Sequence, residues 1–288
     1  MLEYKAKTCR YEILLDSGED KTIYPYLRSE NGNSRMFLVG PQHGRSYVVG
    51  KNSARFVVSK GNGLSFSKYP LLNTGELGPD IWGLLLEEDA RRDFLVCKYV
   101  ERLGIKTNKM EYVLKLDEQL QLDTGERINP VLLQYSVECP YRIADAAVMT
   151  KEQIMCEVKR WRFPNGNIPG SGQYYMAAVE ILVRNLRLMH DNEVLHNAIS
   201  IQNYTWALEL LDFELASSPD YPYTRRDYLR HIPMLMPREI VHTYQVIVHT
   251  YQVIVEIAAC LQEKVDFRLV DSTFGQYGFD LGKYAVTY

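Results

Sequence analysis

The chain has little of what marks the specialised protein classes. Its five cysteines (Cys9, Cys97, Cys139, Cys156, Cys260) lie far apart, with no Cys-x-x-Cys pair. Neither a disulfide framework nor a structural zinc site is expected, and a reduced, cytoplasmic setting is the simplest expectation. A secreted effector without a cleaved signal would have the same composition. No run approaches ~18 consecutive apolar residues, so no membrane span is expected. Met1–Arg10 carry charges in place of an apolar segment, which argues against a secretory signal there. A basic excess is also missing: 33 Lys plus Arg face 36 Asp plus Glu, for a formal net charge of −3. No broad electrostatic footprint for nucleic acid is therefore expected. Tryptophan is scarce at 3 and phenylalanine modest at 9, yet there are 21 tyrosines. Tyrosine suits clefts, interfaces and wet cores, because an apolar ring carries a polar hydroxyl.

The 288 residues, 46% hydrophobic and 24% charged, suffice for one large domain or two lobes with a real core. Arg35–Val39, Ser46–Val49 and Arg55–Ser59 are short β-prone runs. Turn chemistry at Gly40–Gly44 and Gly50–Asn52 separates them, which predicts an antiparallel meander. A loop over Gly61–Asp80 leads to a predicted helix over Ile81–Leu103, with Gly104 placed to end it. Lys109–Leu116 and Val131–Val137 read as further strands. Beyond about residue 138 the pattern turns helical. Thr150 and Gln153 form a capping box for a helix reaching Arg162. After a loop over Pro164–Gly172, the strongest helix runs Gln173–His190, with apolar residues at i, i+3, i+4, i+7 spacing. Two short strands are predicted at Ser200–Tyr204 and Ala207–Leu211. A last helix opens with Pro237 at its first position and runs to Gln262. The expectation is an α+β, two-lobed protein: residues 1–137 as an antiparallel sheet plus one helix, residues 138–288 mainly helical, and a ligand cleft between them.

An exact repeat occurs in that last helix: His242–Val248 and His249–Val255 both read HTYQVIV. Seven residues are nearly two turns, so the second copy lands only ~20° from the first and lengthens the helix by about 10 Å. A tandem duplication tolerated because it keeps the apolar stripe explains this. The two histidines are poorly spaced as a metal pair.

Four segments carry candidate chemistry. Lys60 ends a β-run and precedes Gly61 and Gly63, where a lysine can reach a bound phosphate. Asp93 lies on the predicted helix beyond it and could pair with Lys60 to aim the ammonium. His196 is followed by Asn203, and Leu210–Glu214 places Asp212 before Phe213. Asn203 and Asp212, facing each other across a hairpin, offer two oxygen ligands to Mg²⁺ (or Mn²⁺), a hard cation that also takes phosphate oxygens. The order His, Asn, strand, Asp-Phe matches the catalytic and metal loops of protein-kinase-like folds.

With these residues in place, the chain resembles the selenoprotein O family, pseudokinase-related enzymes that transfer AMP to protein hydroxyls. The resemblance is to a divergent, minimal member and runs from Gly40 to Asp212. Gly44–Gly50 resembles the family's glycine turn, and Ser59-Lys60-Gly61 its nucleotide-binding lysine motif. Arg92-Asp93-Phe94-Leu95 through Leu103-Gly104-Ile105 resembles its acid-bearing helix. Arg142 falls on the second of two phosphate-contacting arginines, and His196, Asn203 and Asp212 fall on its catalytic and metal loops. The resemblance implies a protein-kinase-like fold, with Lys60, Asp93 and Asp212 as catalytic residues. It also implies Gly44, Lys60, Gly61 and Arg142 holding ATP, and Asn203 and Asp212 holding the metal.

The chain departs from the family at three places and from ordinary kinases at a fourth. Asp93 stands where a glutamate is usual, and Tyr135 at the first phosphate-arginine position. Gln202 replaces the acid before the metal asparagine, and Ala198 occupies the ordinary kinase-base position. Neither base position has a carboxylate; Glu209, Glu214 or His43 could substitute. Three functions follow. The first is AMP transfer to a Ser, Thr or Tyr hydroxyl of a protein substrate. The second is phosphate transfer, as in HipA-like protein kinases or aminoglycoside kinases. The third is a non-catalytic, ATP-binding pseudokinase. His196 reads as a residue that bonds backbone and holds its loop.

Overall fold

The computed structural model describes residues 1–40, 43–52, 54–63, 83–121, 127–160, 170–222, 232–261 and 264–284. The chain is α+β and divides into two compact units: Met1–Phe94 with Asn108–Pro140, and Leu95–Thr107 with Tyr141–Tyr288.

The first unit is built on an eight-stranded antiparallel sheet. Its strands are β1 (Leu2–Thr8), β2 (Tyr11–Asp16), β3 (Tyr26–Arg28), β4 (Ser34–Leu38), β5 (Ser46–Asn52), β6 (Arg55–Lys60), β7 (Lys109–Leu116) and β10 (Val131–Val137). Two short strands, β8 (Leu120–Gln121) and β9 (Arg127–Ile128), pair separately. The sheet order is β2-β7-β10-β6-β5-β4-β1-β3. Only Cys9 and Arg10 join β1 to β2, although the order sets these strands near opposite ends. The sheet therefore curls on itself. The backbone N–H of Asp117 donates to Arg10 O, and Lys7 pairs with Glu118 across the closure. Inside the curl, Cys9 and Leu27 pack against Tyr112, Leu114, Leu116 and Leu132, while Met36, Leu38, Tyr47 and Val57 form a second cluster. Alternation along β6 sends Val57 into this core and Lys60 to the opposite face.

The meander and the strands at 109–116 and 131–137 form as expected. The first 28 residues also form strands that the sequence conceals. In β1 and β2, charged Lys5, Lys7 and Glu12 interrupt the apolar positions, as suits half-exposed strands. The helix α1 (Glu87–Arg102) starts later than the predicted Ile81, which lies outside the described residues. Gly83 has φ +79 and its carbonyl accepts from Gly63 N–H, so the backbone before Leu84 is not helical. Acids at Glu87, Glu88 and Asp89 then suit the first turn. At the other end Gly104, at φ +82, terminates the helix as expected. The loop expected over 61–80 lies mostly outside the described residues, and so does most of the one over 164–172.

The second unit carries α2 (Lys151–Arg160), α3 (Ser171–Asp191), α4 (Ile232–Leu261) and α5 (Leu269–Gln276). The capping box at the start of α2 is made in both directions: Thr150 N–H donates to Gln153 Oε1 and Gln153 N–H to Thr150 Oγ1. Pro237 is not at the first position of α4 but inside it. The helix begins at Ile232, so Pro233 occupies the first turn, where a missing N–H is harmless. The two strands predicted at 200–211 do not form. The segment is a tight turn with isolated bridges at Tyr204–Leu210, Thr107–Leu210 and Arg142–Thr205. Its backbone groups go to neighbouring segments instead of a continuous ladder. Among the described residues, no helix is long and apolar enough to cross a membrane.

Candidate functional site

In the first unit, strand pairing and one helix assemble four of the expected residues. Lys60 pairs in register with Ser46 of β5 on one side and Leu133 of β10 on the other. Its Nζ donates to Asp93 Oδ2 of α1 at 3.0 Å, with both side chains at most 4% exposed. The shorter aspartate thus reaches the lysine. An ion pair this deeply buried is stable only as a pair, because either charge alone would be left desolvated. The turn before β5 sits beside it: Gly61 N–H donates to Arg45 O at 2.9 Å, bringing Gly44 and Gly61 next to Lys60. Gly61 has φ +98, and a Cβ there would lie 2.4 Å from Val131 O, so no other residue fits. Tyr135 is buried opposite Val58.

In the second unit, hydrogen bonds gather Arg142, His196, Asn203 and Asp212. The 204–206 segment is pinned to 141–143 by Ile143 N–H donating to Tyr204 O and Trp206 N–H to Tyr141 O. Ala144 N–H donates to Ile201 O. These bonds set Arg142 against the 201–206 segment. Leu211 N–H donates to Asn203 O at 2.9 Å, so Asn203 and Asp212 are neighbours across the turn as predicted, though without strands. Thr205 Oγ1 accepts from the Ala207 and Glu209 amides and donates to Glu209 Oε2. Glu209 is fully buried in this role and holds the turn, so it is poorly placed as a substitute base.

His196 is completely buried. Its Nε2–H donates to Leu211 O at 2.9 Å, its Nδ1 accepts from Ala198 N–H, and its ring lies 4.9 Å from Phe213. It fastens the two ends of the loop together. Asn203 Nδ2 donates to Ala198 O at 2.8 Å, which leaves the amide oxygen as the group to offer a ligand. The four non-glycine residues with positive φ among those described are Glu193, Asn197, Leu208 and Asp212. All fall within one stretch around these residues. A leucine at φ +59 is sterically unusual, and such strain persists only where surrounding contacts over-determine it.

Arg142 is distinctive. It is only 8% exposed, and among the described residues no carboxylate or carbonyl receives its guanidinium; its backbone N–H bonds Asp145 Oδ2. Desolvating a cation without a counter-charge is expensive. The arrangement therefore suits an incoming anion.

The donors also fit a hard cation. Among the described residues no group of three or more His, Cys, Asp or Glu clusters for a metal. The amide oxygen of Asn203 and the carboxylate of Asp212 could instead supply two oxygens, a partial set of the kind Mg²⁺ takes when water and phosphate complete its shell. Burial pushes the nearby Tyr204 phenol above its ordinary range, with the Glu239 carboxylate adding to the shift.

One residue escapes a sequence reading. Glu239, the eighth residue of α4, is buried and its Oε1 accepts Asn197 N–H at 2.6 Å. No local pattern signals this, because the contact spans 42 residues. In comparisons with known proteins, the chain matches no family profile and no curated protein.

Proposed function

We infer that the chain is an ATP- and Mg²⁺-dependent transferase of protein-kinase-like fold, which moves AMP to a protein hydroxyl as its resemblance to the selenoprotein O family implies. The observation that carries the nucleotide reading is Arg142, a buried cation with no counter-charge among the described residues. The Lys60–Asp93 pair beside the Gly44 turn supports it, as does the order of parts in the first unit: glycine turn, hairpin, lysine strand, acidic helix.

In this reading the first unit is the N-lobe and the second the C-lobe. Asp93 aims the Lys60 ammonium at phosphate oxygens, Gly61 permits close approach of backbone, and Arg142 neutralises phosphate charge. Asn203 and Asp212 would hold Mg²⁺, which supplies further charge neutralisation. The acceptor hydroxyl oxygen bonds to the α-phosphorus, whose bond to the bridging oxygen breaks. Pyrophosphate leaves with the electron pair, and the hydroxyl proton passes to solvent. A base typically contributes ~10²–10⁴-fold, so a site with Ala198 and Gln202 is expected to be slow. The same two residues favour a second reading, an ATP-binding pseudokinase without transfer.

Incubation with α-³²P-ATP or γ-³²P-ATP and Mg²⁺ or Mn²⁺ separates the readings. Label from the α position is expected. Label from γ alone replaces AMP transfer by phosphate transfer. Binding without label from either identifies the pseudokinase, and absence of nucleotide binding overturns the site.

A further inference from the structure

At the end of α3, a second set of contacts reaches the 196–203 loop from behind. His190 is 8% exposed at its side chain, and its Nε2–H donates to Glu239 Oε2 at 2.9 Å. The other oxygen of that carboxylate takes Asn197 N–H. Each oxygen thus has one of these partners, and the two bonds together define how the carboxylate is turned. The His190 ring stands edge-on to Phe279, with centroids 6.0 Å apart. Phe279 in turn packs against Phe274, and Phe274 against Tyr244 of α4.

Asn197 is where this arrangement has leverage. It holds φ +65 and lies between His196, which closes the loop, and Ala198, whose carbonyl orients Asn203. Asparagine adopts that conformation readily, its Nδ2 donates to Leu215 O at 2.9 Å, and Glu239 Oε1 supplies the acceptor for its backbone amide. We propose that His190 is a positioning residue for the 196–203 loop: backed by Phe279, it sets the Glu239 carboxylate that captures Asn197 N–H. The consequence for Asn203 rests on the nucleotide-site reading above; the hold on the loop does not. The C-terminal aromatic residues thereby acquire a role in the loop's geometry.

Hydrogen exchange on the full chain tests this, with Mg²⁺·ATP affinity measured in parallel. In His190→Ala, exchange in 195–203 is expected to rise by roughly tenfold, the scale of one hydrogen bond to a charged group. Mg²⁺·ATP binding should weaken as well. His190→Gln, which keeps an N–H donor, should restore both. Unchanged exchange at 195–203, a rise spread evenly over α3 and α4, or failure of His190→Gln to restore protection overturns the proposal. If His190→Ala does not fold, Phe279→Leu gives the same comparison, because it removes the ring's support and leaves both bonding groups in place. The exchange result decides the positioning role even if wild-type protein proves not to bind ATP, an outcome that would overturn only the nucleotide reading.

Discussion

Lys60 and Asp93 each lose their water on folding, and each is compensated by the other at 3.0 Å. Lys60→Met or Asp93→Leu alone should therefore cost about 3–5 kcal/mol, while the Lys60→Met/Asp93→Leu double variant should recover much of it. Urea unfolding of the four proteins measures this coupling. Arg142 predicts the reverse. Its guanidinium has no counter-charge to lose among the described residues, so Arg142→Met should leave the unfolding midpoint unchanged or raised. The same variant should weaken ATP binding by roughly tenfold or more, as loss of a charge-assisted bond implies. A loss of stability without a loss of affinity would mark Arg142 as structural. At this scale much was legible: lysine after a β-run, acid on the next helix, and His, Asn and Asp at their intervals. The burial of Lys60–Asp93 was not, because an acid on a helix is usually solvated. The use of Glu239 was hidden by sequence distance.

Among the elements, those with strong local signals formed as predicted. β-Prone runs between turn residues gave β5 and β6, alternation gave β7 and an apolar run β10, the reciprocal Thr150–Gln153 cap gave α2, and Gly104 ended α1. Where tertiary bonds decide, the prediction failed. The 200–211 segment divides its backbone bonds between its own turn and residues 106 and 141–144, so its β-prone run forms isolated bridges and no continuous ladder. The duplicated heptad of α4 keeps one face inward in both copies. Thr243 and Thr250 are buried, while Gln245 and Gln252 are exposed. Phe267 lies between the equivalent tyrosines, 6.3 Å from Tyr244 and 4.8 Å from Tyr251. Part of the tyrosine excess is thus explained as packing around this helix. Both repeat histidines are held below the ordinary value of 6.5, by burial foremost and, for His242, by Arg238 as well. With a lower pKa folded than unfolded, the unfolded chain binds protons first as pH falls. Stability is then complete above about 6.5 and declines as pH drops toward the folded values. The thermal midpoint should fall over that window, and a His242→Gln/His249→Gln variant should flatten the fall. An unchanged acid profile in the variant would remove these histidines as the cause.

For the molecule as a whole, the α+β class and a β-rich first part followed by helices were legible from composition and periodicity. The curl of the eight-stranded sheet was not, because it depends on Cys9 and Arg10 carrying the chain between strands that lie far apart in the sheet order. In the proposed function, Asn203 and Asp212 hold Mg²⁺ against a bound nucleotide. A thermal shift titrated with ATP, with and without Mg²⁺, in wild type and Asp212→Asn tests this directly. Wild type should gain stability with ligand concentration, by ~2.7 kcal/mol at a hundredfold excess over Kd, and should gain more with Mg²⁺ than without. Asp212→Asn should lose the Mg²⁺-dependent part. No shift in wild type, or an equal Mg²⁺-dependent shift in Asp212→Asn, would contradict the account.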